Sequence, residues 1–191
     1  MKIVGKIFIC LALMILVLSD IGAAVTWEPY LGLSKGKAKI EEEKVSFYEF
    51  SFGTDLGSRG AIELFIIAQP ISENFLNLFG THDSETVGTS VFMAGITTSL
   101  SLFKDAFFNP MIQAGFGKMV ITSFESSDNQ PSFYWYFYSS VATGFEVNFG
   151  DSFKIYLFSG FRFALHDQVM NLEKNALSSK FSTIGFTVRL D

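Results

Sequence analysis

The sequence holds one cysteine, Cys10, and two histidines, His82 and His166, in 191 residues. A single thiol excludes a disulfide framework and any cysteine cluster for a metal or a redox pair. Two histidines are too few for an ordinary zinc site, and no ligand spacing points to one. No cofactor and no metal are expected. Charge is scarce as well, at 17% of residues against roughly 25% in a soluble domain. Acids outnumber bases, 19 to 14, and no basic run occurs, which argues against nucleic acid as a partner. Past the N-terminus no apolar run reaches the ~18 residues of a membrane helix. Neither a phosphate-cradling glycine loop nor a serine-elbow motif is found.

What is present is grease. Hydrophobic residues make up 49% of the chain, Phe alone occurs 23 times, and there are 16 Gly. The mean hydropathy of +0.33 is high for a cytosolic domain, and so apolar a chain is not disordered. A hydrophobic chain without membrane helices, rich in Gly and aromatics, predicts a transmembrane β-barrel.

The N-terminus reads as an export signal. Lys2 and Lys6 precede the apolar run from Ile7 to Leu18, followed by Ser19, Asp20 and the small residues Gly22, Ala23 and Ala24. That is the charged, apolar and small-residue order of a secretory signal peptide, with cleavage expected after Ala24. The expected domains are a signal over 1–24 and a barrel over 25–191. Cys10 leaves with the signal. It follows Ile7-Phe8-Ile9, without the small residue that precedes a lipidated cysteine. The exported chain keeps 12 basic and 18 acidic residues.

From Val25 onward, apolar and polar residues alternate with the period of two that marks strands. The last segment is clearest: Ser182, Ile184, Phe186, Val188 and Leu190 against Thr183, Gly185, Thr187 and Arg189. Phe153, Ile155, Leu157, Phe161 and Phe163 stand against Lys154, Tyr156, Gly160, Arg162 and Ala164. Trp135, Phe137, Val141, Phe145 and Val147 stand against Tyr136, Tyr138, Ser140, Ala142, Gly144, Glu146 and Asn148. Earlier segments lie near Trp27–Leu33, Tyr48–Gly53, Ile62–Gln69 and Thr89–Leu102. Pro29 is awkward in the first, since proline cannot donate to a ladder. In the fifth, Met111–Phe124, Lys118 breaks the apolar row, and a bulge near Gly117 is expected to restore the phase. Eight strands result. Connections alternate long and short: Ser34–Lys44, Leu56–Gly60, Pro70–Gly88, Phe103–Asn109, Glu125–Ser132, Gly150–Ser152 and His166–Lys180. An eight-stranded antiparallel up-and-down transmembrane barrel is predicted, with long loops extracellular and both termini periplasmic.

The apolar face is assigned to lipid for two reasons. An eight-stranded interior is too narrow for so many large side chains. The opposite face is largely Gly, Ser, Thr and Ala with isolated charges, unlike the dense Lys/Glu mix of a wet surface. Aromatics at strand ends predict interfacial girdles: Trp27, Tyr30, Phe103, Phe107, Phe108, Phe133, Trp135, Phe149 and Phe153.

This pattern, over Val25 to Leu190, resembles the eight-stranded outer-membrane barrel superfamily. That group includes the OmpA transmembrane domain, OmpX-like and opacity-type surface proteins and OmpW-like barrels. The resemblance is architectural and rests on no family motif. It implies residence in a bacterial outer membrane, in contact with its lipid or lipopolysaccharide. Members of the group usually end in an aromatic residue, commonly Phe, whereas this sequence ends Val188-Arg189-Leu190-Asp191.

Seven charges fall on the lumen face: Glu28, Glu49, Glu63, Glu146, Lys154, Arg162 and Arg189. Ion pairs that keep the lumen shut are expected, since buried charges need partners. Glu146 is placed diagonally from Lys154 across the Gly150-Asp151-Ser152 turn, and Glu28 meets Arg189 if the barrel closes. His82, Asp83 and Ser84 have the residue types of lipid-modifying barrel enzymes, but neighbours in sequence do not make a triad. In the long loops, Phe75, Leu76, Leu78 and Phe79, and Val169, Met170 and Leu172, form a candidate contact surface for an extracellular protein or host ligand. The expected role is structural or surface-interacting, non-enzymatic and monomeric. A small channel for small or apolar solutes is the first alternative, and a lipid A-modifying enzyme the second.

Overall fold

The structure, a computed structural model, describes residues 28–40, 43–56, 59–70, 86–103, 106–125, 131–165 and 178–190. The strands are β1 (Glu28–Ile40), β2 (Glu43–Leu56), β3 (Gly60–Pro70), β4 (Thr86–Ser101), β5 (Phe108–Glu125), β6 (Pro131–Phe149), β7 (Phe153–Leu165) and β8 (Ser179–Arg189). Each pairs antiparallel with the next, and β1 pairs with β8, which closes the barrel. Closure leaves no unpaired edge, the condition a β-structure must meet to sit in lipid. No helix among the described residues is long and apolar enough to cross a membrane.

Alternation along each strand sorts the side chains. In β8, Phe181, Thr183, Gly185 and Thr187 are buried inward, while Lys180, Ser182, Ile184, Phe186 and Val188 are exposed outward. The outward face is a band of large apolar groups, with Leu64 58%, Ile66 58%, Trp135 63% and Phe107 65% exposed. Taking such a side chain out of water is worth about 1.5–3 kcal/mol, so this band matches hydrocarbon. On β5 the stretch from Phe108 to Lys118, at ~3.4 Å per residue and ~40° tilt, spans about 26 Å, the height of a lipid-facing barrel band.

Two expectations are corrected. Ser34–Lys44 is not a loop: β1 runs to Ile40 and β2 starts at Glu43. The period of two continues there, with Ser34, Gly36 and Ala38 buried and Lys35, Lys37 and Lys39 exposed. Only the outward residue type changes, from Leu to Lys. Nor is there a bulge near Gly117, because the β4–β5 and β5–β6 registers run unbroken through it. Lys118 stays on the outward face, its Nζ 5.5 Å from the Phe137 ring centre and 5.9 Å from that of Trp135. Its ammonium thus rests over aromatic rings on the outward face.

Pro29 costs only the reciprocal bond at the end of the β1–β8 ladder. Its carbonyl accepts from Leu190 N (2.8 Å), so its missing N–H lies on the same side. There the β8 register has already ended at Tyr30↔Arg189.

Candidate functional site in the barrel lumen

The end carrying the short connections and both strand termini is called the turn end, and the other the loop end. Polar lumen groups gather at the turn end. Asp55, which sequence reasoning overlooked, is their hub. Its Oδ2 lies 3.2 Å from Lys154 Nζ and 3.3 Å from Arg189 Nη2, and the same Nη2 is 2.6 Å from Glu28 Oε2. Asp55 continues the inward row Glu49, Ser51, Gly53, which was its available signal. Barrel closure brings Arg189 to Glu28 as expected. It does not bring Lys154 to Glu146 as a salt bridge, although Asn148 stands opposite Lys154. The cation instead reaches across the lumen to Asp55. Glu146 accepts from Ser101 Oγ (3.4 Å) and Asn109 Nδ2 (3.3 Å).

Glu63 is held by neutral donors. Tyr30 Oη donates to its Oε1 at 2.8 Å and Thr97 Oγ1 to its Oε2 at 3.3 Å. Tyr30 therefore belongs to the lumen, 6% exposed, and not to the aromatic girdle. It shares the inward phase of Glu28 and Gly32, and at that phase a ring cannot reach lipid.

Toward the loop end the lumen changes character. Phe47, Phe65, Ile67, Val91, Met93, Met119, Ile121, Tyr138 and Phe181 are all buried there. This corrects the expectation of a lumen filled mainly by small residues: large apolar side chains dominate its loop half, around a few buried polar groups such as Gln69 and Arg162. Arg162 sits within this apolar half, 3% exposed. Its guanidinium lies 5.0 Å from the Phe181 ring centre, 5.3 Å from Phe47 and 5.7 Å from Tyr138. Ring faces attract a cation directly, but among the described residues Nε and Nη1 have no hydrogen-bond partner. Arg162 and Glu49 line one cavity of about 20 Å³, together with Thr97, Gln113, Tyr156 and Thr183. That volume has room for about one water and is too narrow for a conduit.

Outside, the turn-end aromatics form a contact chain. Ring centres are 5.8 Å apart for Phe107–Phe149, 5.9 Å for Phe149–Phe153 and 5.9 Å for Phe153–Phe186, with Phe108–Phe145 at 4.9 Å. Phe103 is exposed beside them. Trp135 marks the other rim of the band, and Phe133 lies in β6 opposite Thr122. Trp27, the segment 1–24, His82, Asp83, Ser84, His166 and the apolar residues at 75, 76, 78, 79, 169, 170 and 172 lie outside the described residues. Among the described residues no group of His, Cys, Asp or Glu could hold a metal ion.

No protein-family model matches the chain, and no curated protein does. Solved structures do. Neisserial surface protein A superposes with a TM-score of 0.60 at 12% identity, covering 86% of this chain and 97% of that one. What the two share is the β-barrel fold. The N-terminal β-barrel domain of Pseudomonas aeruginosa OprF gives 0.51 at 11% identity, over 86% and 100% of the two chains. A de novo designed transmembrane β-barrel gives 0.50 at 9%, over 85% and 95%. At such identities the likeness concerns fold alone.

Proposed function

We propose that this membrane barrel resides in a bacterial outer membrane, exported by residues 1–24, with its loop end outward and its lumen closed. Its role is structural or surface-interacting, without catalysis. The observation that carries this reading is the opposition of the two faces. Outward Phe, Leu and Ile are exposed in a continuous band, while the loop half of the lumen is filled by buried rings and branched chains from opposing walls. A barrel that is apolar outside and blocked inside offers lipid anchorage and a rigid platform, with no path for solute. Contacts with other molecules then fall to the loops, including the apolar residues at 75–79 and 169–172.

The test is an unboiled gel of detergent-folded protein. The closed barrel migrates apart from the boiled chain, and identical migration would sink the reading. Vesicles then separate a membrane barrel from a soluble one, since only the former resists extraction by salt and urea.

A further inference from the structure

We propose that the outward lysines of β8, β1 and β2 form a binding surface for a multiply phosphorylated lipid headgroup, of the lipopolysaccharide type, in the leaflet that meets the loop end. The inference rests on the membrane-barrel reading above and adds a ligand class and a location to it.

Lys35, Lys37 and Lys39 on β1, Lys44 on β2 and Lys180 on β8 are all exposed on the outer wall. The register brings them together: Lys39 stands opposite Lys44 on one side and Lys180 on the other. With ~6.8 Å between alternate residues and ~4.8 Å between strands, they cover roughly 14 Å by 10 Å. The outward residues between them, Ser46 and Ser182, add hydroxyls opposite Lys37. The acidic side chains described on these strands, Glu28, Glu49 and Asp55, face the lumen.

A phosphate lying among these ammonium groups is attracted by several of them at once. The row also sits at the right depth. Lys35 follows the outward Leu31 and Leu33 where the apolar band ends, with its Nζ 5.5 Å from the Tyr48 ring centre. Lys180 Nζ lies 5.5 Å from the Phe161 ring centre. Ammonium groups set over aromatic rings at the end of the apolar band suit a headgroup interface. The distribution is one-sided. At the turn end Lys154 and Arg189 point inward to Asp55, and among the described residues Arg59, in the β2–β3 turn, is the exposed cation. Scattered cations suffice for monoanionic lipid, whereas a dense bed of point charges suits several phosphates on one headgroup.

The full chain is to be inserted into phosphatidylcholine vesicles alone, or with added lipid A or added phosphatidylglycerol. Lipid retained per barrel is read by native mass spectrometry at low and high salt. Wild type is expected to retain lipid A, with at least a tenfold loss at high salt and in a Lys35→Gln/Lys37→Gln/Lys44→Gln/Lys180→Gln variant. The corresponding four-arginine variant retains it, and Lys118→Gln, off the patch, is unchanged. Equal retention by the four-glutamine variant overturns the proposal, as does equal retention of phosphatidylglycerol or phosphatidylcholine. If that variant fails to show the folded gel band, Lys35→Gln/Lys37→Gln and the salt series on wild type decide, and no loss in either refutes the patch. Wild type that enters no vesicle refutes the membrane reading itself. Insertion without preference for lipid A refutes the lysine surface alone.

Discussion

Gly36 stands opposite Phe47 in the β1–β2 register, and a Cβ at Gly36 would fall on the Phe47 ring. The same relation recurs twice. Tyr30 lies over its partner Gly53, and Tyr156 over its partner Gly185. These lumen glycines are seats for cross-strand rings, so small residues on one strand mark where a large one from the next will lie. Gly36→Ala is therefore expected to destabilise the barrel by about 1–3 kcal/mol through overpacking, read by urea unfolding in vesicles. Adding Phe47→Leu should recover part of that loss, because the two positions share one space. Asp55 gives a second expectation. Asp55→Ala leaves Lys154 without its carboxylate while Arg189 keeps Glu28, so stability should fall by about 1–3 kcal/mol. Lys154→Met in the same chain should restore much of it. A double mutant as unstable as Asp55→Ala would refute the pairing.

At the scale of strands, most of the fold was legible because lipid and lumen impose opposite chemistry on alternate residues. Where outward residues are Phe, Leu or Ile, as in β8, the inward and outward sets were read correctly. Legibility failed where the outward residue leaves the hydrocarbon. Lys35, Lys37 and Lys39 look like a loop because strand reading expects apolar groups on one face, yet the backbone keeps its period. Lys118 looked like a break for the same reason. The β1 extension makes a direct prediction. In a chain lacking Cys10, Lys37→Cys and Lys39→Cys should react readily with a water-soluble maleimide, and Ala38→Cys, 2% exposed at the wild-type position, should not. Equal labelling at the three positions would restore the loop. Asp55 and Tyr30 carried a signal in their inward phase; what no single strand encodes is their partners across the lumen, which depend on tilt and closure.

For the whole molecule, two layers of different physics cross the described lumen. At the turn end, Glu28, Asp55, Lys154 and Arg189 interlock by charge. Toward the loop end, rings and aliphatic chains close around Arg162. Charges paired across a lumen can exchange partners, whereas packed rings and aliphatic chains offer water and ions few polar partners. The second layer should therefore control conduction. Wild type in a planar bilayer is expected to give no stepwise current. Asp55→Ala, which opens only the ionic layer, should stay silent despite its lower stability. Phe47→Ala combined with Arg162→Ala removes a ring and the cation beside it from the apolar layer, and should give discrete steps. Currents from wild type, or from Asp55→Ala alone, would mean that the apolar layer does not close the barrel, and the channel reading would then replace the closed platform.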